Sequence, residues 1–324
     1  MNIRRRERCK QVARLIASAC MVAASLAPAQ QYPTKPIRVL TAELGGGSDF
    51  TARLILPRLT EMLGQQIVVE NRTGGVILGE LAARAQPDGY TLMLYSGSLW
   101  HMPYMRDNVP YHIGDFAPIS HLSTSPLILV VHPTLPAKSV AELIALAKSR
   151  PGELNYASGP LGAAPHLAGE LFKYLAGVDI VHIPFKGVGL AVNDVIAGRV
   201  QLMFSSMGGT IQQVRAGRLR ALAITSARPS ALLPDMPTVA SAGLPGFEAA
   251  TNNGLFAPAR TPAAIVERLN RDIEQVIARA ELRDKFLSVG LELVGGPPAR
   301  FSQMIKMDAE RTGKLIKAAG IRAE

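Results

Sequence analysis

From residue 36 onward the apolar residues fall into short blocks that alternate with stretches of helical spacing. Residues 37–41 form a β-branched and aliphatic block, entered through Pro36 and left through a glycine run, which predicts a buried strand. Residues 49–63 predict a helix, with Ser48 or Asp49 as its cap, Gly64 as its stop and Pro57 as a kink. Residues 67–70 predict the next strand, residues 76–85 a helix ended by the turn Pro87-Asp88-Gly89, and residues 90–95 a third strand. The same grammar restarts downstream. Strands are predicted at 127–131, 155–157, 178–183, 200–204 and 220–225, and helices at 139–149 (capped by Ser139), 166–175 and 188–197. Strands alternating with helices at this rhythm argue an α/β fold, with mainly parallel sheets covered by helices on both faces. Two such units of about 100 residues, with no Ser/Gly-rich linker between them, suggest two closely apposed domains. The C-terminal part, amphipathic from 262 to 279 and onward, reads as helix able to pack back onto the first unit.

The first thirty residues break this pattern. Arg4, Arg5, Arg6, Arg8 and Lys10 stand against one acid, Glu7, and residues 15–26 are mostly small and aliphatic. Ala27-Pro28-Ala29 then offers small residues for cleavage. This is the plan of a secretory signal peptide, with an apolar run too short to span a bilayer. The mature chain is expected to be exported, soluble and periplasmic, with residues 1–29 removed. Cys20 follows Ser18-Ala19 as in a lipoprotein box, but Ala17 stands where Leu is usual and Arg14 interrupts the apolar run, which disfavours a lipid anchor. A twin-arginine signal is disfavoured because the aliphatic or aromatic residues expected after the pair are missing.

Composition and charge read differently once that segment is set aside. The chain has 324 residues, 48% hydrophobic and 19% charged, so neither disorder nor a collagen-like repeat fits. A net charge of +10 and two cysteines would raise nucleic acid, an anionic membrane or a disulfide. Yet Arg14 brings the basic residues of the leader to six against one acid, so half the net charge leaves with it. Cys9 and Cys20 leave too, and no nucleic-acid partner is expected. No G-x-S-x-G, P-loop or H-E-x-x-H motif occurs. The six histidines are scattered without a pair at metal-ligand spacing, so no catalytic residue, metal or cofactor is assigned. Gly45-Gly46-Gly47 and Gly187-Val188-Gly189 lie between a strand and a helix without completing a dinucleotide fingerprint. They read either as tight turns or as cradles for an anion at a helix N-terminus.

These residues belong to a longer set. Tyr32-Pro33-Thr34-Lys35-Pro36-Ile37-Arg38, the glycine loop with Asp49, Val69-Glu70-Asn71-Arg72 and Pro87-Asp88-Gly89-Tyr90-Thr91-Leu92 occur in order. So do Asn155-Tyr156-Ala157-Ser158, Pro165-His166-Leu167-Ala168-Gly169-Glu170, Pro184-Phe185-Lys186-Gly187, Leu219-Arg220-Ala221-Leu222-Ala223-Ile224-Thr225 and Leu233-Pro234-Asp235-Met236-Pro237-Thr238-Val239. Over about 290 residues the chain resembles the solute-binding receptors of tripartite tricarboxylate transporters, the Bug-type extracytoplasmic proteins. The resemblance implies a two-lobed type II periplasmic-binding fold with two hinge strands, crossing near 123–126 and 252–254. Lobe 1 would hold residues 30–124 and 253–324, and lobe 2 residues 125–252. It implies a small organic acid as ligand, a large and a small integral membrane subunit as partners, and a monomer.

Within that frame the ligand would meet strand ends of both lobes. Lobe 1 would offer Glu43, Gly45, Gly46, Gly47, Ser48, Asp49, Ser96, Ser98 and the single tryptophan, Trp100, as an aromatic wall or as lobe packing. Lobe 2 would offer Ser158, Gly162, Ala163, Ala164, His166, Lys186, Gly187 and Ser205, with Ser206 beside it. Several positions depart from the family pattern. Thr41-Ala42-Glu43-Leu44 replaces a proline-bearing start of the first loop, the second glycine loop Thr73-Gly74-Gly75-Val76 is shortened, and Ser205 stands near a common acid. An acid at 43 would disfavour a neighbouring carboxylate, which points to a monocarboxylate or an acid carrying a donor group. Two rival functions compete with this reading: a ligand sensor for a membrane signalling partner, and an exported hydrolase using Ser48 or Ser158, which lacks a histidine at motif spacing from either serine.

Overall fold

A computed structural model describes residues 32–322 apart from 43, 45, 73, 160, 227, 231 and 232. The basic leader, Cys9, Cys20 and the predicted cleavage site lie outside the described residues, as do Glu43 and Gly45. In β1 (Ile37–Thr41) consecutive residues are buried on opposite faces, Ile37 and Val39 in one cluster and Leu40 in another. A strand apolar on both sides needs cover on both sides. That cover comes from α1 (Gly47–Leu63) on one face and α2 (Gly75–Ala83) on the other, with β2 (Ile67–Asn71), β3 (Thr91–Ser96) and α3 (Ser98–Met105) completing the unit. β2, β1 and β3 pair in parallel.

The chain then runs through β4 (Phe116–Val131), α4 (Val140–Ser149), β5 (Asn155–Ser158), α5 (Ala164–Ala176), β6 (Val181–Pro184), α6 (Val188–Ile196), β7 (Leu202–Ser206), α7 (Met207–Arg215) and β8 (Arg220–Ile224). It returns through β9 (Ala250–Pro258) to α8 (Ala263–Ile277), α9 (Ala280–Ser288), β10 (Glu292–Leu293) and α10 (Pro298–Ala318). β5 pairs in parallel with both β6 and β7. Every antiparallel pair involves β4 or β9. Those two strands pair with each other from Phe116 against Pro258 to Pro126 against Ala250. β3 joins β9 on one side, and β4 continues into the second sheet through β7 and β8. They are the two crossings.

The predicted strand at 127–131 is only the far end of the sixteen-residue β4. Its first part holds the expected crossing at 123–126 and carries Ser120, Ser123 and Ser125, all buried, whose polarity hides the strand from an apolar pattern. The second unit repeats the two-faced core: Leu127, Leu129 and Val131 face one cluster, Ile128 and Val130 another. α8 buries Val266, Leu269, Ile273 and Val276 at helical spacing in the cluster that holds β1 and α1, so the C-terminal helix does pack back on the first unit. A smaller cluster of Met105, Leu167, Ile316 and Ile321 joins α3 and α10 to α5 across the units. Among the described residues no helix is long and apolar enough to cross a membrane.

Candidate functional site

Six strands end on the same side of their sheets and lead into helices: β1 into α1, β2 into α2, β3 into α3, β5 into α5, β6 into α6 and β7 into α7. The N-cap residues of these helices are Gly46, Gly74, Gly97, Ala163, Gly187 and Ser206, and none makes a side-chain cap. In α1 the first ladder bond runs from the Phe50 amide to the Gly46 carbonyl, and in α5 from Leu167 to Ala163. The amides of Gly47 and Ser48, and of Ala164 and His166, therefore precede the ladder. Open helix starts of this kind favour an anion through their amides and their dipole. By contrast α4 carries the predicted cap, with Ser139 Oγ accepting the Glu142 amide at 3.1 Å.

The first wall is built on neutral groups. Ser48 donates its hydroxyl to Asn253 Oδ1 at 2.9 Å, and Asn253 Nδ2 donates to Ser123 Oγ at 3.2 Å. Ser123 and Thr51 hydroxyls lie 2.9 Å apart. One helix start is thereby tied to both hinge strands. Asp49 is 3% exposed. Arg53 Nε reaches both its oxygens, at 3.0 and 2.9 Å, and Asn71 Nδ2 donates to it at 2.9 Å and to the Ala42 carbonyl at 2.7 Å. The glycine loop and the Val69-Glu70-Asn71-Arg72 motif are thus one structural unit. Ser96 donates to Ser98 at 3.3 Å, and the Gly97 amide between them bonds the Asn252 carbonyl at 3.0 Å.

The second wall is built on titratable groups. Ser158 is fully buried at the end of β5, donates to the Gly159 carbonyl at 3.0 Å, and lies 2.7 Å from His182 Nε2. The Gly162 amide donates to His166 Nδ1 at 3.1 Å. Behind them Tyr156 donates to Glu170 at 2.6 Å, and Lys173 donates to the same oxygen at 3.1 Å. Burial and the neighbouring His166 push the His182 imidazole down to about 4. Burial also lowers His166, with Glu170 opposing.

Three expectations are corrected by this geometry. Trp100 is 1% exposed and packs among His101, Phe256 and Phe301 in the first-lobe core. Its indole N–H donates to Asp308 at 2.8 Å, so it is packing rather than a wall over a ligand. His101 donates to the same oxygen at 2.8 Å. Burial opposes the Asp308 charge, but these bonds and nearby Arg311 outweigh it and hold the carboxyl below the usual range. The Asp49 carboxylate is committed to Arg53 and Asn71 rather than turned to a ligand. Ser158, which has no histidine at motif spacing in the sequence, has His182 against it in space, although its burial keeps it from acting as an accessible nucleophile.

The other expected positions fall as follows. Gly46, Gly47 and Ser48 stand at the start of α1; Gly162, Ala163 and Ala164 lead into α5; Gly187 begins α6. Lys186 is exposed and makes no ion pair among the described residues. Ser205 is fully buried, and its hydroxyl has no hydrogen-bond partner among the described residues. Sequence reasoning missed Thr51, Ser123, Asn253 and His182. Only the β5–β6 register, which sets Tyr156 opposite His182, could have signalled the last.

Comparison with known proteins agrees with this architecture. The sequence model of the tripartite tricarboxylate transporter family receptor matches residues 51–321. The protein BugT of Bordetella pertussis is 36% identical over 304 residues, 91% of this chain and 92% of its own. The solved structure of Rpa4515 from R. palustris with adipate superposes with a TM-score of 0.84 at 34% identity, covering 90% of this chain and 99% of that one. MatC of Rhodopseudomonas palustris with bound malate superposes at 0.80 and 27% identity, covering 88% and 100%.

Proposed function

We infer the function from one premise: the chain belongs to the tripartite tricarboxylate transporter family of receptors. It is an exported, monomeric, non-catalytic receptor that encloses a small organic acid between its lobes. It delivers that acid to one large and one small integral membrane subunit. Lobe 1 comprises residues 30–124 and 253–324, lobe 2 residues 125–252, and closure turns on β4 and β9. The leader is cleaved near Ala29.

The observation that carries this reading is the gathering of six helix starts, none with a side-chain cap, at same-side strand ends of both lobes. Such a set suits an acid group better than a cation or an apolar body. In the first lobe the contacts are the Gly46, Gly47 and Ser48 backbone with Ser96 and Ser98. In the second they are the Gly162, Ala163 and Ala164 backbone with Lys186, Gly187 and Ser205. The adipate and malate held by two relatives support a carboxylate. Glu43 places monocarboxylates and acids bearing a donor group first among the compounds to try.

Calorimetry of the purified protein against adipate, malate and a set of monocarboxylates tests this. One of them is expected to bind and to raise the melting temperature by mass action. Mass spectrometry of the small molecule released on denaturation identifies the natural ligand. The reading fails if no acid shifts the melting temperature and the released molecule carries no acid group.

A further inference from the structure

The loop after β5 stands on two histidines. His166, in the first turn of α5, and His182, on β6, hold their rings 4.4 Å apart. The His182 ring stacks on Tyr156 at 4.7 Å. Each imidazole reaches the loop through one nitrogen, His182 Nε2 to Ser158 and His166 Nδ1 to the Gly162 amide. Gly162 itself has φ +76, and a side chain there would run into Met105 of α3. This is therefore the point where the second-lobe loop touches the first lobe, in a backbone conformation that only glycine adopts readily.

The hydrogen bond at Gly162 fixes a protonation state. An amide N–H can only donate, so His166 Nδ1 must present a lone pair, and the ring proton sits on Nε2. An imidazolium carries a proton on both nitrogens and has no acceptor left. The bond to Gly162 therefore exists only while His166 is neutral. The groups facing it are His182 from β6, Tyr156 from β5, and Glu170 and Lys173 from its own helix. Glu170 favours a charge on His166, while Lys173 opposes it, and burial works against it most strongly.

We propose that His166 is a positioning residue: its neutral ring, through Nδ1, holds the Gly162 amide and presets the loop 162–164 for the ligand. Protonating the ring, or replacing it with a side chain that cannot accept, releases the loop and weakens binding through the loop rather than through the direct ligand contact expected of His166 from the sequence. The consequence for binding rests on the receptor reading above; the loop geometry does not.

Nitrogen-15 spectroscopy of the ligand-free protein tests the geometry directly. His166 is expected to show an unprotonated Nδ1 and a protonated Nε2 at pH 7. The Gly162 amide is expected to exchange roughly tenfold faster in His166→Leu than in the parent, for the loss of one hydrogen bond. His166→Asn, whose side-chain oxygen lies near the Nδ1 position, should restore that protection and keep it as the pH falls, whereas the parent loses it in acid. With adipate and malate as probes, His166→Leu should bind roughly tenfold more weakly and His166→Asn should recover part of the loss. A proton on Nδ1 at pH 7, or unchanged Gly162 exchange in His166→Leu, overturns the proposal. If His166→Leu does not fold, the contrast in acid between the parent and His166→Asn decides: equal pH dependence overturns it. If neither acid binds the parent protein, the binding arm passes to the acid that calorimetry finds, the receptor reading failing only if none is found, while the amide and tautomer readouts still decide this one.

Discussion

On the first-lobe wall Ser48, Thr51, Ser123 and Asn253 share neutral hydrogen bonds, and the nearby carboxylate of Asp49 is paired with Arg53. On the second-lobe wall His166, His182, Glu170 and Lys173 surround Tyr156. Both walls present helix starts and small residues, yet their supports answer differently to solvent. Among the described residues the hydroxyl–amide chain of the first has no group that titrates between about pH 4 and 8, while the loop of the second depends on the His166 imidazole staying neutral. A receptor outside the cytoplasm meets changing pH, and among the described groups it is those of the second wall that register it.

The largest effect should come from the packing under the second wall. A methyl group at Gly169 would fall inside the Tyr156 ring, which is held by Glu170 on one side and by the His182 ring on another. Gly169→Ala should cost about 2–3 kcal/mol in chemical denaturation, the range for overpacking a rigid core. A cost below about 0.5 kcal/mol would mean that Tyr156 moves freely and that the second wall is not one rigid unit.

The counterpart on the first wall is Asn253→Ala. It leaves the buried Ser48 hydroxyl without its acceptor and Ser123 without its donor. Loss of about 1–3 kcal/mol is expected, and the loss should be the same at pH 5 and pH 7. A pH-dependent cost would break the contrast between the walls.

The pH profile of stability sharpens it. A histidine in the unfolded chain takes up its proton near 6.5, whereas folded His182 does so at about 4. As the pH falls below about 6.5 the unfolded state binds protons that the folded state refuses, so stability is full above that value and declines towards pH 4. With allowance for solvent near a partly exposed ring, the His182 share is about 1–2 kcal/mol. His121 of β4, stacked on Phe301 of α10 and pushed down to about 4 by burial, adds a decline of the same sign. Stability measured from pH 7 to 4 should therefore fall less steeply in His182→Gln than in the parent. Equal slopes would remove His182 from the account.

How far such features could be read beforehand depends on the distance over which each is defined. β3 and the far end of β4 were legible because burial on both faces forces an unbroken apolar run, β1 because its aliphatic block is broken only by the exposed Arg38, and Ser139 announced its helix because a cap is local. The first part of β4 was not legible from its pattern and was placed at 123–126 only by the family resemblance, since its buried serines bond across the hinge: Ser125 donates to the Gly290 carbonyl. The loops of the candidate site were legible as motifs, but their supports were not. Ser48 is answered from Asn253, 205 residues on, and Trp100 from Asp308, 208 residues on. A lone tryptophan beside a loop reads equally as wall or packing until that carboxylate is placed.

The smallest effect tests whether the walls are coupled by charge. Arg311 on α10 reaches Glu248 at 3.1 Å, across to the chain segment that enters β9, and Asp308 on its own helix at 3.0 Å. The Arg311 and Glu248 side chains are 54% and 49% exposed, so water and salt screen the pair. Arg311→Ala should cost no more than about 0.5 kcal/mol at low salt, and the difference should vanish at high salt. Asp308 keeps the bonds from Trp100 and His101, so the first-lobe core should not notice. A salt-independent loss above about 1 kcal/mol would mean that Arg311 clamps the lobes together, and the two walls would then have to be treated as one coupled unit.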